Sequence, residues 1–311
     1  MNSLYSLSVA ICTRNRHEDL WNCLKSIGSQ KGVEDQYYEI LLVDDGETDE
    51  AWLSRAQELL PANMTLTYHA KPKAQAGLLR SRILSVQLAQ SEVLLFLDDD
   101  VECAENYFQV LKATLNRYPQ AVGVSGADQG FSCSVPGMIY SVLNGQMHPS
   151  VGKLSWGGFA SSMNRWNRRK DVFETEFVHG CNMCFRVRAL KELEEVDWLN
   201  GYSLGEDLYL SHVARQHGPM YVNPNLKLLH HGSPTARDKA EQVSYTKVVN
   251  HYHLLQLKEG ASGFHHLMLL YTSYILYLEH RLRKNREQAS GFRRGIRELR
   301  ALRRGAVKEP A

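Results

Sequence analysis

Three consecutive aspartates, Asp98-Asp99-Asp100, end the apolar run Val93-Leu94-Leu95-Phe96-Leu97. A buried strand with this ending delivers a block of carboxylates to the edge of a sheet. Crowded like charges repel one another, and a divalent cation offsets that repulsion while leaving coordination positions for a diphosphate. Without context the triplet could equally be a solvated acidic loop, because Asp-x-Asp is a common pattern. Two other apolar runs end in groups of similar use. The run at 7–12 is followed by Thr13-Arg14-Asn15, a set of hydrogen-bonding side chains, and the run at 39–45 ends in Asp44-Asp45, whose carboxylates can accept from a base or a ribose.

The elements that must position these groups follow from periodicity. Strand-like runs at 7–12, 39–45, 66–69 and 93–98 alternate with segments of helical spacing, the first with Leu20, Trp21, Leu24 and Ile27 on one face and the others at 51–60, 77–89 and 106–118. This alternation predicts an α/β fold with a mostly parallel sheet covered on both faces. Ligands of such sheets bind beyond the carboxyl ends of the strands, where the three polar endings converge. No GxGxxG or GxxxxGK[ST] follows any strand, which argues against a dinucleotide fold and a P-loop ATPase.

Further on, 121–125 reads as another strand, and 126–170, rich in Gly, Ser, Asn and Trp with the pair Gly157-Gly158, as long loops, some of them mobile. A strand at 177–187, a helix beginning near Arg188, a helix at 206–216 and short strands at 220–222 and 226–230 complete the body. The spacing of Val243, Val248, Val249, Tyr252, Leu255 and Leu257, and later of 267–282, is helical, with breaks near Gly260 and Gly291. The expected organisation is an α/β body over 1–235 and a helical extension over 236–311.

A chain of 311 residues with 43% hydrophobic residues can bury a large core. The net charge of +2 conceals an asymmetry: residues 281–308 carry eleven Lys/Arg against two Glu. A basic tail on an acidic body suggests an anionic partner surface, membrane phospholipid ahead of nucleic acid, against the plainer reading of a solvated helix. Six cysteines show no disulfide-framework spacing, which points to a reducing compartment. The one CxxC, Cys181 to Cys184, lacks a complementary pair, and on an extended strand its thiols would face opposite sides. The first ten residues lack a basic n-region, so a cytoplasmic protein is expected. The longest apolar stretch, 267–278, includes Tyr271, Thr272, Ser273 and Tyr274 and falls short of the roughly 20 residues of a membrane span.

Six segments in order, LSVAICTRNR (7–16), ILLVDDGETD (40–49), AGLLRSR (76–82), VLLFLDDD (93–100), HGCNMCF (179–185) and GEDL (205–208), resemble the GT-A family-2 glycosyltransferases over about residues 5–235. The resemblance implies a GT-A (Rossmann-like) fold, with 1–235 a catalytic domain that has a donor half at about 1–125 and an acceptor half at about 126–235, a nucleotide-diphospho-sugar donor, a divalent cation (Mn2+ or Mg2+) and inversion at the anomeric carbon. It implies base contacts from Thr13 and Asp45, with Arg14, Asn15 and Asp44 beside them, and a donor contact from Arg80. Asp98 would lie by the ribose and the metal and Asp100 on the metal, with Asp99 as an alternate. His230, or His231 beside it, would complete the metal shell or touch the diphosphate. Gly180, Asn182 and Met183 correspond to a segment beside the acceptor and donor-sugar pocket, and Trp156 could stack on a sugar or belong to the core. An inverting transfer needs a carboxylate to take the acceptor's proton, and the resemblance gives that role to Asp207, with Glu206 the next candidate. A metal that stabilises the departing diphosphate makes a general acid unnecessary. Two departures stand out, Glu47 where many members have Ser and Ser81 where many have Asn; both bear on which nucleotide is bound.

The C-terminal helices more loosely resemble those of bacterial polysaccharide glycosyltransferases, particularly rhamnosyltransferase-like members. That implies a glycan or lipid-linked acceptor in surface-polysaccharide assembly and a peripheral place on the inner face of the cytoplasmic membrane. There Arg293, Arg294, Arg297, Arg300 and Arg304 would meet phosphates, or an acidic protein, while Phe292, Ile296, Leu299 and Leu302 enter the interface; the competing arrangement packs this stripe on the catalytic domain or a second subunit and leaves the arginines solvated. Two rivals remain. A sugar-nucleotide pyrophosphorylase would usually place a Gly-rich basic loop after the first strand, and Thr13-Arg14-Asn15-Arg16 has no glycine. A non-catalytic glycan- or nucleotide-binding module would have no use for a base.

Overall fold

Long apolar runs buried on both faces are what a central parallel strand requires, and β1 (Leu7–Thr13) and β2 (Tyr38–Asp44) are buried along nearly their whole length. In the computed structural model, which describes residues 6–199, 203–232 and 240–305, they lie parallel to β3 (Met64–Ala70) and β4 (Val93–Asp98) in the order β3-β2-β1-β4. Helices α1 (His17–Gly28), α2 (Glu50–Glu58) and α3 (Leu78–Leu88) occupy the intervening sequence. Register then sets the site: Thr13 pairs with Asp44 and Cys12 with Asp98, so three strand ends finish level.

The remainder of the sheet is mixed. It is built from β5 (Val101–Cys103), β6 (Gly123–Asp128), β7 (Phe173–Thr175), β8 (Asn182–Arg186) and β9 (Met220–His230), with α4 (Tyr107–Arg117), α5 (Val135–Leu143) and α6 (Glu206–Arg215) between them. Strand β8 runs antiparallel between β4 and β6, and β5 pairs antiparallel with the end of β9. Alternating side chains feed two cores. Val9, Ile11, Ile40 and Leu95 pack on the α1 and α4 side, and Ala10, Leu41, Phe96, Met183 and Phe185 on the α3 and α6 side.

Several expected elements differ. The stretch 126–170 is not all loop: α5 and a 3-10 segment at Ser161–Arg168 occupy it. Residues 135–143 are almost uniformly apolar, so they carry no helical period, and the helix start is fixed instead by Ser134, whose hydroxyl accepts from the Gly137 amide at 3.2 Å. The helix expected near Arg188 is one 3-10 turn, Val187–Leu190, and the two short strands at 220–230 are a single strand facing an irregularity at Gly126. Cys181 precedes β8 rather than lying on it, so its thiol and that of Cys184 join the same core; all six cysteines are free.

Helices α7 (Ala240–Leu257), α8 (Gly263–Leu282) and α9 (Arg286–Arg303) form the extension. The break near Gly260 is present, but Gly291 lies inside α9, and the second break falls where Lys284 takes φ of 61°. Gly291 serves close packing: a Cβ there would sit 2.1 Å from the Glu241 carbonyl oxygen, and one at Gly295 2.8 Å from Val248 Cβ. With no side chain at either position α9 presses onto α7, and Phe292, Ile296 and Leu299 are buried. This overturns the interfacial role expected for that stripe; burial of each such side chain is worth about 1.5–3 kcal/mol to folding. The extension docks on the body through Asn250, which donates to the Leu204 carbonyl at 2.8 Å, and through His253 stacked on Trp198. The expected boundary at 235 and the tail beyond 305, with Lys308, lie outside the described residues. Among those described, no helix is long and apolar enough to cross a membrane.

Candidate active site

The aspartate triplet forms the turn from β4 into β5, and the pairing of Val101 with His230 carries the end of β9 to it across 130 residues of sequence. His230 Nε2 stands 3.1 Å from Asp100 Oδ1 and 3.9 Å from Asp98 Oδ2. Behind it Asp128, at the end of β6, accepts from the His230 amide at 3.2 Å and faces Nδ1 at 3.9 Å. Burial opposes charge on His230, but the Asp100 hydrogen bond and the surrounding carboxylates outweigh it and raise its pKa. His231 points elsewhere, to the exposed Glu102 at 2.8 Å.

Two arginines hold the carboxylates. Arg16 bridges them from the loop after β1, its guanidinium 2.6 Å from Asp99 Oδ1 and 2.7 Å from Asp100 Oδ2. Thr13 adds a 2.7 Å hydrogen bond to Asp99 Oδ2. Burial pushes Asp99 up to about 7 while Arg16 and Thr13 hold it down; the 2.6 Å contact is the geometry of an ion pair, so Asp99 is charged while Arg16 stays in place. Arg82, fully buried in α3, donates to Asp98 Oδ1 at 2.9 Å and to the Gly180 carbonyl at 3.2 Å, lies 3.8 Å from Glu206 and stacks over Phe96.

Through Arg82 the triplet connects to the start of α6. Gly205 there has φ of 96°, a left-handed turn that suits glycine and lets the helix begin with Glu206 and Asp207. Asp207 Oδ1 accepts from the Leu208 amide at 2.9 Å, and a Cβ on Gly180 would lie 3.6 Å from Oδ2. Burial raises the pKa of both acids, and the charge of Asp207 raises Glu206 further.

Oxygens of Asp98 and Asp100 and a ring nitrogen of His230 lie within 4.8 Å of one another. Two hard carboxylate oxygens and one imidazole nitrogen fit a divalent cation of the Mn2+ type. His179, Cys181 and His230 form a second such group, but it is closed: His179 is buried and its Nδ1 lies 3.2 Å from the Cys181 sulfur, and burial and His230 together push His179 down to about 3.

The other sequence candidates divide clearly. Asp44, wholly buried, finishes its own turn, accepting from the Gly46 amide, Thr48 and Tyr68 at 2.6, 2.8 and 3.1 Å. Asp45 faces Lys71 at 2.8 Å and accepts from the Gly77 amide at 2.8 Å. Arg14 and Asn15 are exposed, Asn15 with φ of 55°. Arg80 pairs with Glu195 at the surface, at 2.8 Å. Asn182 is a buried structural amide whose Oδ1 accepts from Ser125 and the Gly126 amide, and Met183 is wholly buried in the core, so neither side chain offers a ligand a surface. Trp156 packs between His148 and Phe264, against α8. A wide cavity between α6 and α7, lined by Leu208, His212, Leu254 and Glu259, contains none of the triplet.

Sequence reasoning missed Arg16, Arg82, Asp128, His179 and Lys71. A signal existed for Asp128, which ends a strand in an acid as Asp44 and Asp98 do. Another existed for Arg82, one of a cluster of polar residues, with Ser81 and Ser85, on the buried face of α3.

The family described as Glycosyl transferase family 2 matches residues 8–194. Polypeptide N-acetylgalactosaminyltransferase 6 of Mus musculus is 33% identical over 84 residues, 27% of this chain and 13% of that protein. Polypeptide N-acetylgalactosaminyltransferase 8 of Drosophila melanogaster is 29% identical over 117 residues, 37% of this chain and 19% of that protein. The matches thus span less than a fifth of these relatives. A mannosyltransferase from Pyrobaculum calidifontis, solved in complex with GDP-Man and Mn2+, superposes with a TM-score of 0.57 at 16% identity, over 100% of this chain and 77% of that one. S. aureus TarS gives 0.53 at 13% identity, over 88% and 43%. At such identities the likeness to both structures shows a shared fold, which is the GT-A architecture with added helices.

Proposed function

This chain belongs to glycosyl transferase family 2, and on that premise we propose that it moves a sugar from a nucleotide-diphospho-sugar to a hydroxyl of a glycan or lipid-linked acceptor, with inversion. The observation that carries the reading is the Asp98, Asp100 and His230 donor set, joined through Arg82 and Gly180 to a buried carboxylate pair at the start of α6. These three residues would hold a divalent cation, Mn2+ or Mg2+, which when bound would stabilise the charge of the departing diphosphate. Asp45 and Thr13, at adjacent strand ends, line the nucleotide side, with Arg14, Asn15 and Arg80 at its outer rim. Asp207 takes the proton of the attacking hydroxyl. Its raised pKa makes it a stronger base than an ordinary aspartate, and Gly180 beside it leaves room for substrate. Asp128 is a positioning residue that holds His230 through its backbone amide and faces its ring with a carboxylate.

The Mn2+ and GDP-Man of the Pyrobaculum calidifontis mannosyltransferase support a metal and a nucleotide-sugar donor here. A cytoplasmic role in bacterial surface-polysaccharide assembly is the setting we propose. A binding module would gain nothing from two acids buried at the cleft, where their pKa values are raised at a cost to folding.

Thermal-shift titration with UDP, GDP and dTDP and their sugars, each with Mn2+ and with EDTA, tests the reading. At least one diphosphate should raise Tm with Mn2+ and lose most of that effect in EDTA. No shift from any nucleotide with Mn2+ would overturn it, and pyrophosphate release from a sugar 1-phosphate and a nucleoside triphosphate would replace it with the pyrophosphorylase.

A further inference from the structure

Among the described residues twelve large hydrophobic side chains are exposed, and nine of them belong to α5 and α8, so the unburied apolar surface is concentrated rather than scattered. Helix α5, VPGMIYSVL, has no charged residue and buries none of its side chains. Helix α8 buries one stripe, with Leu269 and Leu276, and exposes another made by Phe264, Leu267, Tyr271, Leu278 and Leu282. At about 100° per residue these five fall within about 60° of one another, one apolar ridge along the helix.

The two helices make one face. Tyr271 Oη donates to the Leu143 carbonyl at 2.9 Å, and Tyr140 Oη donates to Glu279 at 3.3 Å. Gly145, after α5, lies so close to Thr272 of α8 that a Cβ would stand 2.3 Å from its hydroxyl. The rim is basic. Arg168 reaches under α5 to the Cys133 carbonyl and the Met138 sulfur, with exposed Arg169 and Lys170 beside it. Arg281, Arg283 and Lys284 are exposed where α8 ends. Of the acids nearby, Glu279 is bonded to Tyr140 and Arg283, and Asp171 is exposed next to Lys170.

We propose that the α5–α8 face seats on an anionic phospholipid surface, the apolar ridge entering the interface and the basic rim meeting phosphates. Charge decides the occupant: a second copy of this chain, docked face to face, would set the two basic rims against each other, whereas anionic headgroups complement them. Neither helix crosses the bilayer, being too short or too polar. The arginines of α9 are secondary, because that helix spends its apolar stripe on packing. The location deepens the proposed transfer, on which this last step rests. Segment 129–134 runs from Asp128 of the site directly into α5, and Phe131 lies 5.1 Å from His179. A hydroxyl carried on a lipid would therefore be presented at the mouth of the site.

Co-sedimentation with vesicles of phosphatidylcholine, with and without phosphatidylglycerol, tests the face without donor or metal. The full chain should sediment with anionic vesicles and less so as salt rises. The double variant Leu143→Ser, Leu282→Ser, altered at two exposed positions, should partition on the order of tenfold more weakly. Arg281→Glu with Lys284→Glu should remove most of the salt-sensitive part. Transfer to a water-soluble acceptor should be unchanged in both, so failure of the membrane face and failure of the transferase reading give different results. Vesicle binding that is absent, or unaltered in both double variants, overturns the proposal; so does a dimer in light scattering that Leu143→Ser, Leu282→Ser dissolves.

Discussion

The strand-end carboxylates fall into two groups that sequence alone makes look alike. Asp44 is satisfied by neutral donors within its own turn and the next strand, Gly46, Thr48 and Tyr68. Asp98, Asp99 and Asp100 are satisfied by charged groups from distant elements, Arg82, Arg16 and His230. A carboxylate held by local neutral donors completes a fold, and exchanging it breaks the turn. One held by separate cations sits in a balance of charges that another cation can enter. Acidity at a strand end therefore does not mark function; the origin of the compensating charge does.

Breaking the second group should give the largest effects. Asp207→Asn keeps the shape of the carboxyl but cannot take a proton, so transfer should fall about 100-fold or more with donor affinity preserved. Single-turnover rates beside donor titrations check this, and near-normal turnover would move the base to Glu206. Asp100→Asn removes one charge from the metal donor set. Mn2+-dependent nucleotide binding by calorimetry should weaken by at least about tenfold, with a Tm close to that of the parent.

Breaking the first group should instead cost stability. Asp44→Ala leaves the Gly46 amide and the Thr48 and Tyr68 hydroxyls without their acceptor in a buried site, a loss of about 2–4 kcal/mol in urea unfolding. The diphosphate affinity of the folded fraction should stay nearly unchanged. A functional loss larger than the stability loss would put Asp44 with the ligand-binding carboxylates and blur the distinction.

The contrast also explains what the sequence could and could not reveal. Strands β1 to β4 and their helices were legible because a parallel, doubly covered sheet needs continuous apolar runs, and the endings Thr13, Asp45 and Asp98 came with them. The second half was less so. His230 reaches Asp100 through antiparallel pairing of β9 with the three-residue β5, a contact no local period announces. Arg82 was masked because it looks like one more surface arginine of AGLLRSR, while Arg80, two residues away, is the one at the surface. The nearly unbroken apolar sequence of α5 has no polar face, so it carries no helical period, which is also why it stands out in the structure. Gly291 suggests a break because glycine ends helices more often than it lets two of them touch.

The buried pair at α6 gives a pH test. Burial raises the folded pKa of Glu206 and Asp207, so the folded state binds more protons than the unfolded chain above the ordinary carboxylate range. Stability from this source is present at acid pH and is lost as pH rises from that range through the raised values. With Asp207 as the proposed base, transfer should have the opposite slope, because its base form accumulates only above its raised pKa. The acid limb of kcat/KM should thus lie above the usual aspartate range, and Glu206→Gln should flatten the fall in Tm between acid and neutral pH. An acid limb at the ordinary position would mean that Asp207 is better hydrated than its surroundings indicate.

The smallest effect concerns Arg16, where the comparison can be sharpened most. Its guanidinium already compensates Asp99 and Asp100, so a divalent ion arriving beside Asp100 must share that carboxylate with it. Removing the cation by Arg16→Gln leaves the acids more negative and should tighten Mn2+ binding without nucleotide by about threefold, a fraction of a charge-pair energy at a partly solvated site. Asp99 would then lose its main opposing charge, and burial would favour its protonated form, which limits the gain and makes it pH-dependent: larger above the pKa that Asp99 takes in the variant, which lies higher than the value of about 7 it has beside Arg16, and smaller below it. Titration of Mn2+ by its paramagnetic resonance signal on either side of that pH reads both parts. Weaker binding in Arg16→Gln at every pH would show that the arginine orders the triplet for the metal, and would move these carboxylates toward the behaviour of Asp44.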